Sequence, residues 1–360
     1  MSSTYEFETL VGLVEHYSPS GQEEKVVGWL VERMKKLGFT RAFVDKTGNA
    51  VGVMGVGGRQ IVLMGHIDTV PGEIPVRITK GDDPNVNVLY GRGSVDAKGP
   101  LAAFVDAVAE VGIVEDTEFV VIGCIDEERQ SVGARGAVDQ YRPDFAVIGE
   151  PSQWDQITMG YKGSAWADAR VQRTMSHTAG KEQSAPEAAV AFWNQVMNWA
   201  ENFNADRERV FEQVIPTLRG FKSEGDAFAD IATLNIGVRL PIDLEPLQWY
   251  KALQDLGSAT NVEVIPVGFP ISAYRAERNT ALVRSFLGSI RSQGGKPRFV
   301  VKTGTADLNI AAPVWQCPAV AYGPGDSSLD HTPDEHLVLQ EYQKAVKVLA
   351  DVLRRLSAEV

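Results

Sequence analysis

Between residues 22 and 36, apolar side chains fall at Val26, Val27, Leu30, Val31 and Met34. That three-or-four spacing predicts an amphipathic helix, and Ser20 followed by Glu23 reads as a capping box that starts it. Short apolar runs at 42–45, 50–54 and 61–65 have the length of strands. A Gly-rich turn at 91–93 then leads into KGPLAAFVDAVAEV, a second helical pattern, and apolar runs return at 119–125 and 145–148. Strands that are apolar throughout and alternate with helices predict an α/β sheet covered on both faces.

The texture changes between about residues 161 and 267. GSAWADARVQ alternates like a half-buried strand, residues 185–203 are helical in pattern, and TLNIGVRLPI and NVEVIPV read as further strands. This stretch predicts an inserted α+β domain. Beyond it, residues 278–293 make a helix, PRFVVKTGTADLN and PAVAYGPGDSSLDHTP read as loop-rich, and HLVLQEYQKAVKVLADVLRRLSAEV is a long amphipathic helix. The core domain is thus discontinuous, formed by residues 1–160 and 271–360 around an insertion at 161–270.

Composition narrows the classes of function. The 360 residues carry 35 basic and 47 acidic side chains, a net charge of -12, with no dense Lys/Arg block, which argues against nucleic acid as a ligand. No run approaches the roughly 18 apolar residues of a membrane span, and no basic segment followed by an apolar one opens the chain. A cytoplasmic protein without membrane partners is the expectation. Cys124 and Cys317 lie far apart without CxxC spacing, so neither a disulfide framework nor a thiolate metal site is implied. Any metal must be held by His, Asp and Glu.

Those residue types cluster where the predicted strands end. His66 closes the run IVLMG, and on an extended chain Asp68 points to the same side, able to accept a hydrogen bond from the second ring nitrogen of a ligating His66. Asp96 sits in GRGSVDAKG immediately before a helix, a context shared by turn and cap residues. Asp126, Glu127 and Glu128 follow a buried strand in succession, and adjacent carboxylates repel one another unless cations, protons or solvent intervene. Glu150 ends another apolar run before Pro151. In open α/β sheets the carboxyl ends of the strands are where active sites form. Of the five histidines, His16 and His336 have no motif that demands chemistry and read as structural.

The order His-x-Asp, GRGSVDAKG, Glu-Glu, GEPS and a late His resembles the dimetal aminoacylase and carboxypeptidase family over essentially the whole chain. The resemblance implies a discontinuous catalytic domain with a mixed sheet covered by helices, plus an inserted α+β dimerisation or lid domain, and a homodimer. It assigns His66, Asp96 and Glu150 to one divalent ion and Asp96, Glu128 and His331 to a second, with a cis peptide after Asp96. Nitrogen and oxygen donors without thiolate suit zinc, and cobalt or manganese can occupy the same set. Glu127 becomes the general base, Asp68 is a catalytic-site residue that orients His66, and His177 in MSHTAG reaches the partner's site to stabilise an oxyanion. Arg239 matches the position that grips a substrate carboxylate, and Arg275 and Thr305 are further substrate contacts by the same resemblance.

Within the family, the block KTGTADLNIAAPVWQCPAVAYGPGDSSLDHTPDEH resembles hydrolases that release lysine or ornithine from the γ-carboxyl of an amino-group carrier protein's C-terminal glutamate, in lysine and arginine biosynthesis. Asp307 or Asp326 is then a candidate to meet the cationic side chain. An acidic carrier needs a basic rim, for which Lys162, Arg170, Arg173, Lys181 and Arg275 are the candidates. Two other functions use the same residues: a small-molecule deacylase of the acetylornithine, acetyl-lysine or succinyl-diaminopimelate type, and a noncatalytic metal-binding protein. Retention of Glu127 separates the enzymes from the last, because a binding module needs no base.

Overall fold

A computed structural model describes residues 7–81, 83–175 and 182–359. It divides into two compact units. The first takes the chain up to Gly160 together with Ala276–Val301 and Ala306–Val360; the second is Tyr161–Arg275 with Lys302–Thr305.

The main sheet of the first unit runs, in spatial order, Arg41–Val44, Ala50–Val56, Thr117–Cys124, Arg59–His66, Phe145–Gly149, Ala319–Tyr322 and Gln156–Tyr161. The middle pairings are parallel and the outer ones antiparallel, so the sheet is mixed. Ile61–Met64, Phe119–Ile122 and Ala146–Ile148 are almost wholly excluded from water, as continuous apolar runs require of central strands. Helix Lys98–Val111 and the terminal helix Leu339–Ser357 pack on each other. The apolar stripe of the latter, Tyr342, Ala345, Val348, Leu349, Val352, Leu353 and Leu356, is buried. A small antiparallel sheet joins His336–Val338, Asn87–Tyr90 and Arg77–Lys80.

The second unit is a four-stranded antiparallel sheet in the order Ile215–Gly225, Ala229–Leu240, Gly163–Thr174, Glu263–Ile271. Alternate residues Ala165, Ala167, Ala169 and Val171 are buried, as are Ala232, Leu234, Ile236, Val238 and Leu240 on the neighbouring strand. They form one core with helices Ala185–Asn204 and Pro246–Thr260. Ser184 and Glu187 cap the first of these helices reciprocally.

Three local expectations fail for identifiable reasons. Ser20 and Glu23 do not form a capping box: helix Glu24–Lys36 has no side-chain cap, because Ser20 Oγ donates to Asp68 Oδ2 at 2.7 Å and Glu23 Oε1 accepts the Asp126 N–H at 3.2 Å. The two segments read as loop-rich contain strands Arg298–Lys302 and Ala319–Tyr322, whose short apolar runs are hidden among Gly and Pro, and helix Leu308–Trp315 begins at the end of the first. The terminal helix begins at Leu339 rather than His336, since His336–Val338 pairs with Asn87–Tyr90. Among the described residues no helix is long and apolar enough to cross a membrane.

Candidate active site

Strands Thr117–Cys124 and Phe145–Gly149 flank Arg59–His66 in parallel, with Cys124 opposite His66 and Gly149 opposite Gly65. Parallel pairing delivers whatever follows each strand to one edge of the sheet. His66, the Asp126–Glu127–Glu128 turn and Glu150 therefore meet there.

The turn after Cys124 is sharp. Asp126 takes a left-handed conformation, φ 65°, and its carbonyl accepts the N–H groups of Gln130 at 3.1 Å and Ser131 at 2.7 Å. This directs the next two N–H groups at Asp68: Oδ1 accepts from Glu127 at 3.0 Å and Oδ2 from Glu128 at 3.2 Å. Asp68 is fully buried and also borders His66, whose Nδ1 lies 3.0 Å from the Asp68 carbonyl and 3.5 Å from Oδ1.

Asp96 reaches the same place from GRGSVDAKG. The loop is closed by the Lys98 N–H donating to the Gly93 carbonyl at 2.9 Å. Gly93 has φ 84°, and a side chain there would come within 2.8 Å of Thr69 and 2.9 Å of Lys98, so the position calls for glycine. The Asp96–Ala97 peptide is cis. The two carboxylate oxygens of Asp96 face different histidines: Oδ1 is 3.1 Å from His66 Nε2, and Oδ2 is 3.0 Å from His331 Nε2. His331 Nε2 also lies 3.1 Å from Glu128 Oε1.

The charges here are mutually dependent. Burial works against a charged His66, yet Asp68, Asp96 and Glu127 outweigh it and hold its pKa well above the usual histidine range. Contacts with Asp96 and Glu128 push His331 up to about 10. Asp96 is held low by the two histidines in spite of its burial. Burial raises Glu127 well above the carboxylate range, and the negative charges of Asp307, Glu150 and Glu128 add to the shift while His66 opposes it. Such crowding of carboxylates is what bound cations relieve.

Donor atoms of His66, Asp96 and Glu128 lie within 4.8 Å of one another, close enough to hold an ion. His331 approaches from the other oxygen of Asp96. A donor set of imidazole nitrogen and carboxylate oxygen, with one carboxylate set between two imidazoles, fits a pair of divalent ions of the zinc type. Neither cysteine enters this set: Cys124 is buried within its strand, where burial pushes its thiol well up.

A sequence profile of peptidase family M20/M25/M40 matches residues 62–355. The chain belongs to this family. It is accordingly a metallohydrolase acting on amide bonds, and M20 membership implies a site for two metal ions. The M20 relatives include a LysW-lysine hydrolase of Deinococcus radiodurans, 44% identical over 345 residues, covering 94% of this chain and 93% of that one. A LysW-lysine/LysW-ornithine hydrolase of Saccharolobus solfataricus is 27% identical over 94% of this chain and 92% of its own. Among solved structures, the M20 metallo-carboxypeptidase Sso-CP2 of Sulfolobus solfataricus superposes with a TM-score of 0.77 at 17% identity, covering 100% of both chains. A tripeptidase of Staphylococcus aureus gives 0.80 at 18%, covering 98% of both. These two share the α/β fold expected from the sequence.

The other residues singled out in the sequence divide between the two units. Glu150 is buried beside the cluster and bears electrostatically on Glu127. Arg239 and Thr305 belong to the second unit and touch: the guanidinium donates to Thr305 Oγ1 at 2.7 Å, and Thr305 Oγ1 donates to the Lys162 carbonyl at 3.1 Å. Arg275 is exposed and lines a cavity within the second unit, of about 480 Å³, with Arg207, Phe211, Glu212 and Asp243. His177 and Lys181 lie outside the described residues. Lys162 is no part of a basic rim, because its ammonium is buried and donates to the carbonyls of Val210, Phe211 and Gln213. Arg173 is likewise engaged with the Thr260 carbonyl at 3.0 Å. Asp326 is exposed and accepts the Ser328 N–H, whereas Asp307 is buried and pushed up to about 7 by that burial.

Sequence reasoning passed over two residues that organise this site. Ser20 has the local signature of a helix cap, and the 48 positions between it and Asp68 hide the contact they make. Glu335, in the DEH that follows His331, is completely buried, and its carboxylate accepts the N–H groups of Val95 and Asp96. Three polar residues in a row, Asp334 to His336, have the local look of a solvated turn.

Proposed function

We propose that this enzyme releases lysine, and ornithine where the pathway requires it, from the γ-carboxyl of the C-terminal glutamate of an amino-group carrier protein. The observation that carries the substrate is the 44% identity, over nearly the full length of both chains, to a relative named for hydrolysing LysW-lysine. Geometry supports the chemistry. His66, Asp96 and Glu150 would hold one ion and Asp96, Glu128 and His331 the other, with zinc, cobalt or manganese able to serve. Bound there, divalent ions polarise the scissile carbonyl and make water acidic enough to attack near neutral pH.

The chain's own residues do the rest. Glu127, with its raised proton affinity, takes a proton from the attacking water and returns it to the departing amine nitrogen. Asp68 keeps Glu127 and His66 in register through one carboxylate. Arg239, steadied by Thr305, presents a guanidinium to the free carboxylate of the amino acid being released. Arg275 offers an exposed positive charge to the acidic carrier. His177 donates to the developing oxyanion across a homodimer in the cytoplasm.

The test compares the carrier's C-terminal γ-glutamyl-lysine adduct with free N-acetyl-lysine, using zinc- or cobalt-loaded enzyme. Strong preference for the adduct upholds the reading. Equal or faster cleavage of the free acyl amino acid replaces it with a general deacylase.

A further inference from the structure

Glu335 is fully buried, and a buried carboxylate persists only where its oxygens are matched. All of its contacts converge on one loop. Oε1 accepts the N–H groups of Val95 at 2.9 Å and Asp96 at 3.1 Å, and Oε2 accepts from Arg92 at 2.8 Å. Arg92 is itself buried and anchored by donation to the Gly72 carbonyl at 2.9 Å. The Glu335 carbonyl accepts the Gly91 N–H at 3.3 Å, and the next residue, His336, pairs with Tyr90. Residues 91–96 are therefore fastened to Glu335 at both ends, by side chain and by main chain.

The other side of this attachment is His331, four positions earlier in the same segment. His331 approaches Asp96 Oδ2, so two side chains assigned to one ion stand on the two segments that Glu335 joins. His66 depends on a different anchor, Asp68. From this division we infer that Glu335 is a positioning residue that sets Asp96 against His331 and thereby acts most strongly on the ion shared by Asp96, Glu128 and His331, which draws two side chains from the joined segments, and less on the ion that shares only Asp96 with them.

The inference rests on the two-ion reading of the site, and the experiment separates them. Metal-stripped wild type, Glu335→Ala and Glu335→Gln are titrated with zinc alone, and thermal unfolding of each stripped protein is recorded. Two ions should bind to wild type. Glu335→Ala should weaken the Asp96–Glu128–His331 site by about 10–100-fold, the scale for partners that orient metal ligands, and the other site, which shares only Asp96, by clearly less. Glu335→Gln keeps an oxygen for the two N–H groups but loses the charge opposite Arg92, so it should fall between them, and it carries the test if the alanine variant does not fold. Unchanged affinities at both sites, or equal weakening of both in step with a lower melting temperature of the stripped protein, overturns the positioning role while leaving the two-ion site intact. A wild-type chain that binds fewer than two ions overturns both.

Discussion

Asp68 Oδ1 accepts the backbone N–H of Glu127 at 3.0 Å while the same carboxylate borders the His66 ring. One fully buried side chain thus couples the placement of Glu127, the proposed base, to that of His66. Asp68→Ala should damage both functions, lowering kcat and zinc affinity by about 10–100-fold each. Glu127→Gln should lower kcat by about 10²–10⁴-fold with zinc content unchanged. Steady-state kinetics and metal analysis on the two purified variants check the contrast; loss of metal in the glutamine variant would reassign Glu127 as a ligand.

Zinc binding should expel protons. Without metal, Asp96 and Glu128 push His331 up to about 10, so it carries its proton at neutral pH, and His66, in spite of its burial, is raised in the same direction by Asp68 and Asp96. A ligating imidazole must be neutral. Ions entering at pH 7 should therefore release at least the His331 proton, and affinity should fall as pH falls. Calorimetric titration in buffers of different ionisation enthalpy measures the number, and a heat independent of buffer would contradict the raised values.

Asp307 predicts a pH dependence of stability. Burial lifts its folded pKa to about 7, whereas an unfolded aspartate titrates near 4. Between those values the folded state binds the extra proton, so its contribution to stability is lost as pH rises through about 7. Asp307→Asn should then gain on wild type by roughly 2–3 kcal/mol between pH 5 and pH 8. Denaturant midpoints of the metal-free proteins at both pH values decide it; a constant difference would mean Asp307 does not titrate there.

Arg239 donates to Thr305 at 2.7 Å, which holds its guanidinium in one orientation. If it grips the substrate carboxylate, Arg239→Ala should reduce kcat/KM by about 10–100-fold, the range of a hydrogen bond to a charged group. Arg239→Lys should recover only part, because an ammonium lacks the paired donors. Kinetics on the carrier adduct report both, and wild-type values for the alanine variant would move carboxylate recognition elsewhere.

Much of this protein is written locally. Apolar runs such as IVLMG and VVIGC specify central strands, because only a sheet covered on both faces buries every residue of a run. KGPLAAFVDAVAEV is a helix over its whole length, Lys98–Val111. The acidic and histidine residues are legible as a set because repulsion among Asp126, Glu127 and Glu128 at the end of a buried strand calls for cations or solvent. Family membership follows from their order along the chain.

Other features come into being only when distant segments meet. The two oxygens of Asp96 are equivalent in the sequence; the fold gives one to His66, 30 positions away, and the other to His331. Ser20 and Glu23 satisfy a local capping rule, but hydrogen-bond partners on Asp68 and Asp126 drew them away, since a buried acceptor or N–H group left unmet costs more than a helix end open to water. Lys162 and Glu335 look like surface charges in sequence and are interior in the fold, each held by polar groups from elsewhere along the chain. Residue type and spacing declare which chemistry is available. Which carboxylate meets which partner depends on long-range contacts, where desolvation makes a matched charge stable and an unmatched one untenable.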